Sequence, residues 1–64
     1  MIVIPQKIKE YRTKNNVKQR ELADLLGVSV QALSKWERGK CCPDIILLPD
    51  LALILECRVD DFFE

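Results

Sequence analysis

Only three residues, Gly27, Val28 and Ser29, separate two short stretches whose apolar residues recur at helical spacing. The first, from about Gln19 to Leu26, carries Leu22, Ala23, Leu25 and Leu26; the second, from about Val30 to Arg38, carries Leu33 and Trp36 three apart. Helices joined so tightly must cross steeply, which requires a small side chain where they meet and a residue free to turn left-handed between them. Ala23 and Gly27 occupy those places, and Ser29 can cap the second helix by accepting an amide hydrogen bond. Leu22, Val28, Leu33 and Trp36 are then expected to point into a common core.

The rest of the chain supplies elements to flank this pair. A helix is expected from about Pro5 to Lys14, with Ile8 and Tyr11 on one face and Asn15-Asn16 ending it. Gly39 closes the segment that ends at Arg38. Asp44 is placed to cap a short turn at 45–47, and Pro49 suits the first turn of a further helix ending near Leu55. Residues 60–63 are expected to form a last turn. Ile2-Val3-Ile4 is β-branched but too short to stand as a strand, so it is expected to pack as a tail on the core. The fold class is therefore all-α, a compact bundle of four to five helices, with residues 1–64 as one unit. Chains of this size hide only about 60% of the surface their unfolded form exposes, so a partner subunit is a common remedy.

Charge narrows the function. Net charge is zero and the pI about 6.2, which taken alone argues against a nucleic-acid partner. Residues 1–40, however, carry nine Lys or Arg against four acids, and residues 41–64 carry one against six. Such a dipolar molecule would turn its first half toward phosphate, unless the split is a chance arrangement of solvated charges. The chain has no His, no Gly-rich phosphate loop and no convincing pair of buried acids, so no enzyme is expected. Three cysteines without His are too few for a zinc site, and no cofactor or small-molecule substrate is implied. Cys57 reads as a small core residue and Cys41-Cys42 as loop, with a redox-sensing thiol as the alternative. With no signal peptide and no apolar run near the length of a membrane span, a cytoplasmic protein is expected.

With Leu33 and Trp36 facing inward, the stripe Val30, Gln31, Ser34, Lys35 and Arg38 faces out. It holds amide, hydroxyl and cationic groups and no carboxylate, as a surface lying in a major groove requires; a merely solvated helix face is the alternative. The run Gln19-Arg20-Glu21-Leu22-Ala23-Asp24-Leu25-Leu26-Gly27-Val28-Ser29, then Ala32 to Lys40, closely resembles the phage repressor and Cro type (XRE-like) of helix-turn-helix transcriptional regulator. So do Pro43-Asp44-Ile45, Leu47-Leu48-Pro49 and Leu51-Ala52, and the likeness covers nearly the whole chain.

The resemblance implies that the helix at about 30–38 enters the major groove of duplex DNA. Val30, Gln31, Ser34 and Lys35 then meet bases, while Gln19, Arg12, Arg38 and Lys40 hold phosphates, with Arg20, Lys18 and Lys14 as weaker candidates. It also implies an Arg12–Glu37 salt bridge, which answers the problem of an acid at a helix C-terminus. Trp36 is read as core rather than as a base-stacking platform. Where similar sequences show Ser or Thr, this one has Lys18, so the usual capping box is expected to be missing and the second helix to fray. Glu56 and Arg58 stand where Gly and Ser are common, which leaves the C-terminal turn open. Ile46 and Leu53 are apolar where relatives are polar. With Phe63 they are expected to form a homodimer interface, or else to thicken the core. The expected function is a sequence-specific bacterial or phage regulator, a repressor, on a pseudo-palindromic operator. The rival is a protein-interaction module, such as an antitoxin or anti-repressor, using the Ile46/Leu53/Phe63 surface.

Overall fold

The computed structural model describes residues 1–63, in the order α1 (Ile4–Asn15), α2 (Gln19–Leu26), α3 (Val30–Glu37), a 3-10 turn (Ile45–Leu47), α4 (Leu48–Ile54) and a second 3-10 turn (Val59–Phe62). The class is all-α, as expected. Among the described residues the one β feature is an isolated antiparallel bridge between Ile2 and Phe63, joined by Val3 N–H donating to Phe62 O at 2.8 Å. The N-terminal segment is thus more than a packed tail. Val3 and Ile4 are buried, and the bridge ties the two ends of the chain together.

The core gathers one or more side chains from every helix. Ile8 of α1, Leu22 of α2, Leu33 of α3, Leu51 of α4 and Phe62 of the last turn are all fully buried, each worth about 1.5–3 kcal/mol of apolar burial. Ala23 is buried where α2 meets the turn, and α3 packs against both α1 and α2. Trp36 is buried as core. Phe62, expected only as part of a last turn, is a core residue; it sits three residues from Val59, and both join the core.

Among the described residues all four α-helices close in the same way. A residue in the left-handed region follows each one: Asn16 (φ 55°), Gly27 (φ 73°), Gly39 (φ 72°) and Glu56 (φ 58°). The next residue's N–H then reaches back five positions, Val17 to Arg12 O, Val28 to Ala23 O, Lys40 to Lys35 O and Cys57 to Ala52 O, all at 2.9–3.0 Å. These bonds satisfy carbonyls that a helix end otherwise orphans. The C-terminal turn left open by Glu56 therefore keeps the shape that Gly would give, at the steric cost of a Cβ in left-handed backbone.

Two helix starts differ from expectation. Lys18 has no side-chain acceptor to offer α2, yet the reciprocal half of the cap survives: Glu21 Oε1 accepts from Lys18 N–H at 3.1 Å. Arg58 repeats this pattern, with Asp61 Oδ2 accepting from its N–H at 3.0 Å. Asp44 makes no side-chain cap. Its carbonyl takes the Leu47 N–H at 2.9 Å instead.

Candidate nucleic-acid interface

The turn between α2 and α3 fixes how α3 is presented. Gly27 supplies the left-handed turn, Val28 packs against the core, and Ser29 Oγ accepts the Ala32 N–H at 3.1 Å, starting α3 where Val30 begins. From there the helix has two chemically distinct sides. Leu33, Trp36 and Glu37 are buried. Gln31, Lys35 and Arg38, spaced four and three apart, are exposed in one row, and half-buried Val30 and Ser34 flank it. No acid interrupts that row.

Glu37 is the buried end of α3, with only 6% of its surface exposed. Arg12 on α1 meets it with two parallel bonds, Nε to Oε2 at 2.6 Å and the terminal Nη2 to Oε1 at 2.8 Å, a fork geometry that only Arg supplies. A third guanidinium nitrogen of Arg12, Nη1, donates to Val17 O at 3.3 Å. The hydrogen bonds that Glu37 accepts, helped by its charge, hold the Arg12 guanidinium above its ordinary pKa against the opposing effect of burial, so it stays cationic. Gln19 Nε2 donates to Glu37 Oε1 at 3.3 Å. Three helices thus converge on one carboxylate. The Gln19 contact is not legible from the sequence, because it joins residues 18 apart whose meeting depends on how α2 and α3 cross.

The structure therefore brings Arg12, Gln19 and Glu37 together. Three of Arg12's five N–H donors are committed to protein acceptors. Gln19 stands at the first position of α2, whose opening amides have no intrahelical acceptor and carry the positive end of the helix dipole. Arg38 folds back over its own helix, Nε donating to Ser34 O at 3.3 Å. Lys40 is exposed just past the left-handed Gly39.

The surface expected to bind a second copy is partly gathered. Ile46 (79% exposed) and Leu53 (78%) are seven residues apart, two turns along the continuous run from the first 3-10 turn into α4. Ile45 (77%) is a further exposed apolar residue there that the sequence reading does not single out. Phe63 is about half exposed and stands opposite Ile2 in the terminal bridge. Cys57 packs at the core edge, where burial and the nearby Asp61 push its thiol pKa up. No helix among the described residues is long and apolar enough to cross a membrane.

Comparison with known proteins agrees with this architecture. The family model for the helix-turn-helix matches residues 8–62. An HTH-type transcriptional regulator of Methanocaldococcus jannaschii is 37% identical over 57 residues, covering 89% of this chain and 86% of that protein. One from Archaeoglobus fulgidus is 35% identical, covering 89% and 80%. The HTH-type transcriptional activator BcrR of Enterococcus faecalis is 36% identical over 88% of this chain, which spans only 28% of that longer protein. The crystal structure of a transcriptional regulator from Listeria innocua shares the fold with a TM-score of 0.84 at 22% identity, covering 92% of this chain and 55% of that one. The chain belongs to the helix-turn-helix family of DNA-binding transcriptional regulators, in its repressor and Cro-type (XRE-like) branch.

Proposed function

We propose that this chain is a sequence-specific reader of duplex DNA that represses transcription in the cytoplasm by occupying a promoter. The observation that carries this reading is the acid-free row on α3, anchored from behind by Leu33 and Trp36. Gln31 has the paired donor and acceptor that match an adenine edge, Lys35 is a donor for guanine O6 or N7, Val30 offers a methyl surface to thymine, and Ser34 is a short hydroxyl beside them. Gln19 and the opening amides of α2 hold one phosphate, while Arg12, Arg38 and Lys40 supply cations along the backbone. Phosphate contacts set position and base contacts set sequence.

Two copies joined through Ile46, Leu53 and Phe63 present paired α3 helices about 34 Å apart, matching a pseudo-palindromic operator. The exposure of Ile45, Ile46 and Leu53 also favours a second reading, an interaction module that offers this apolar face to another protein, as an antitoxin or anti-repressor would. Salt separates the two. Binding to duplex DNA is expected to fall linearly with log salt at a slope near −0.9 per phosphate contacted. Duplex binding that ignores salt, or no duplex binding beside a salt-insensitive protein complex, contradicts the DNA-reading assignment.

A further inference from the structure

The loop that leaves α3 carries two adjacent cysteines that the DNA-facing surface does not use. Cys41 and Cys42 are both free and both exposed. Neighbouring side chains on an extended chain point to opposite sides. Here the backbone bends at Lys40 and Cys41, after left-handed Gly39 and ahead of buried Pro43, and both cysteines line one cleft of about 140 Å³ with Ile2, Ile4, Pro5 and Trp36. Two residues bearing soft donors therefore border one cleft whose other lining residues are mostly apolar. Among the described residues no group of three or more His, Cys, Asp or Glu could hold a metal ion, so a four-coordinate ion such as zinc is poorly served.

The ligand that fits has two valences for sulfur and one apolar substituent, and trivalent arsenic bearing a single organic group has that valence pattern. We propose that Cys41 and Cys42 form a chelating dithiol site for a monosubstituted trivalent arsenical, with its organic group against Trp36 and Ile4. Two arsenic–sulfur bonds form, the arsenic–oxygen double bond and two S–H bonds break, and the oxygen leaves as water with both thiol protons. Neither arsenic nor sulfur changes oxidation state. Resting on the DNA-binding reading above, occupancy also weakens the grip on DNA, because Trp36, which seats α3, lines the same cleft and Cys41 directly follows Lys40, the residue proposed to hold phosphate.

Phenylarsine oxide added to the full chain, followed by intact-mass measurement, tests the site without reference to DNA. One adduct per chain, with the mass of the reagent less one water, is expected; Cys41→Ser or Cys42→Ser abolishes it and Cys57→Ser leaves it intact. An adduct that survives both single substitutions, or requires Cys57, overturns the site. Titration of duplex DNA against salt, with and without the reagent, tests the coupling: weaker binding and a slope reduced by about one phosphate contact are expected. Unchanged DNA affinity with the adduct present overturns the coupling alone. Absence of duplex binding by the untreated chain overturns the functional reading, while the mass result stands on its own.

Discussion

At the scale of single residues, Glu37 decides most. An acid at the C-terminal end of a helix opposes the dipole, and a carboxylate 6% exposed needs a partner. Arg12 supplies two of its bonds and Gln19 a third, so one carboxylate fixes the relative placement of α1, α2 and α3. Removing the cation leaves that carboxylate desolvated with one of its three bonds. Arg12→Ala is therefore expected to cost about 3 kcal/mol of folding free energy, read by urea unfolding, and to weaken DNA binding as well. If both stability and affinity stayed at the parent level, Arg12 would have neither role. The acid's need for a partner was legible in the sequence, and the resemblance pointed to Arg12. Gln19 as a second donor was not, since nothing in a linear string says which surface amide a crossing helix brings near.

At the scale of elements, helix ends are where the residues depart most from those expected to close or cap a helix. Gly27 and Gly39 marked two closures plainly, because glycine enters left-handed backbone without steric cost. Asn16 marked a third less plainly, and Glu56 concealed the fourth, since no propensity argument puts a glutamate at φ 58°. Leu51 and Ala52 are buried, and the Cys57 N–H to Ala52 O bond closes the turn around Glu56. Glu56→Gly should thus raise stability by about 1 kcal/mol, measured as a higher denaturation midpoint; a lower midpoint would show that the Glu56 side chain stabilises the turn. Lys18 is the complementary case at a helix start. Its side chain accepts nothing, while Glu21 still takes the Lys18 N–H. Lys18→Ser completes the reciprocal pair and is expected to add about 0.5–1 kcal/mol, checked by the same unfolding curve. No gain would mean that α2 starts as well with half a cap.

At the scale of the whole molecule, the charge asymmetry and the fold act together. A chain only 26 × 22 × 19 Å across, with net charge zero, still separates its signs along the sequence. Nine of the ten basic residues lie from α1 to the exit of α3 and six of the ten acids lie from Asp44 onward, so on the proposed function phosphate attraction is expected to orient the molecule before any base is read. The all-α architecture followed from periodicity and turn residues in the string. The terminal bridge did not, because pairing Ile2 with Phe63 depends on where the two ends arrive after every helix has packed. Likewise Phe62 and Phe63 look alike in sequence, and only the closing 3-10 turn decides that the first is buried and the second half exposed.

The central claim is that the outer row of α3 chooses the DNA sequence. Selection of bound duplexes from a random pool, run in parallel on the parent chain and on a folded Gln31→Ala/Lys35→Ala variant, addresses it most directly. The parent is expected to enrich a twofold-symmetric motif. The variant should lose preference at the positions those side chains meet, by about 1–3 kcal/mol at each, while retaining salt-dependent affinity. An unchanged motif from the variant would contradict the account.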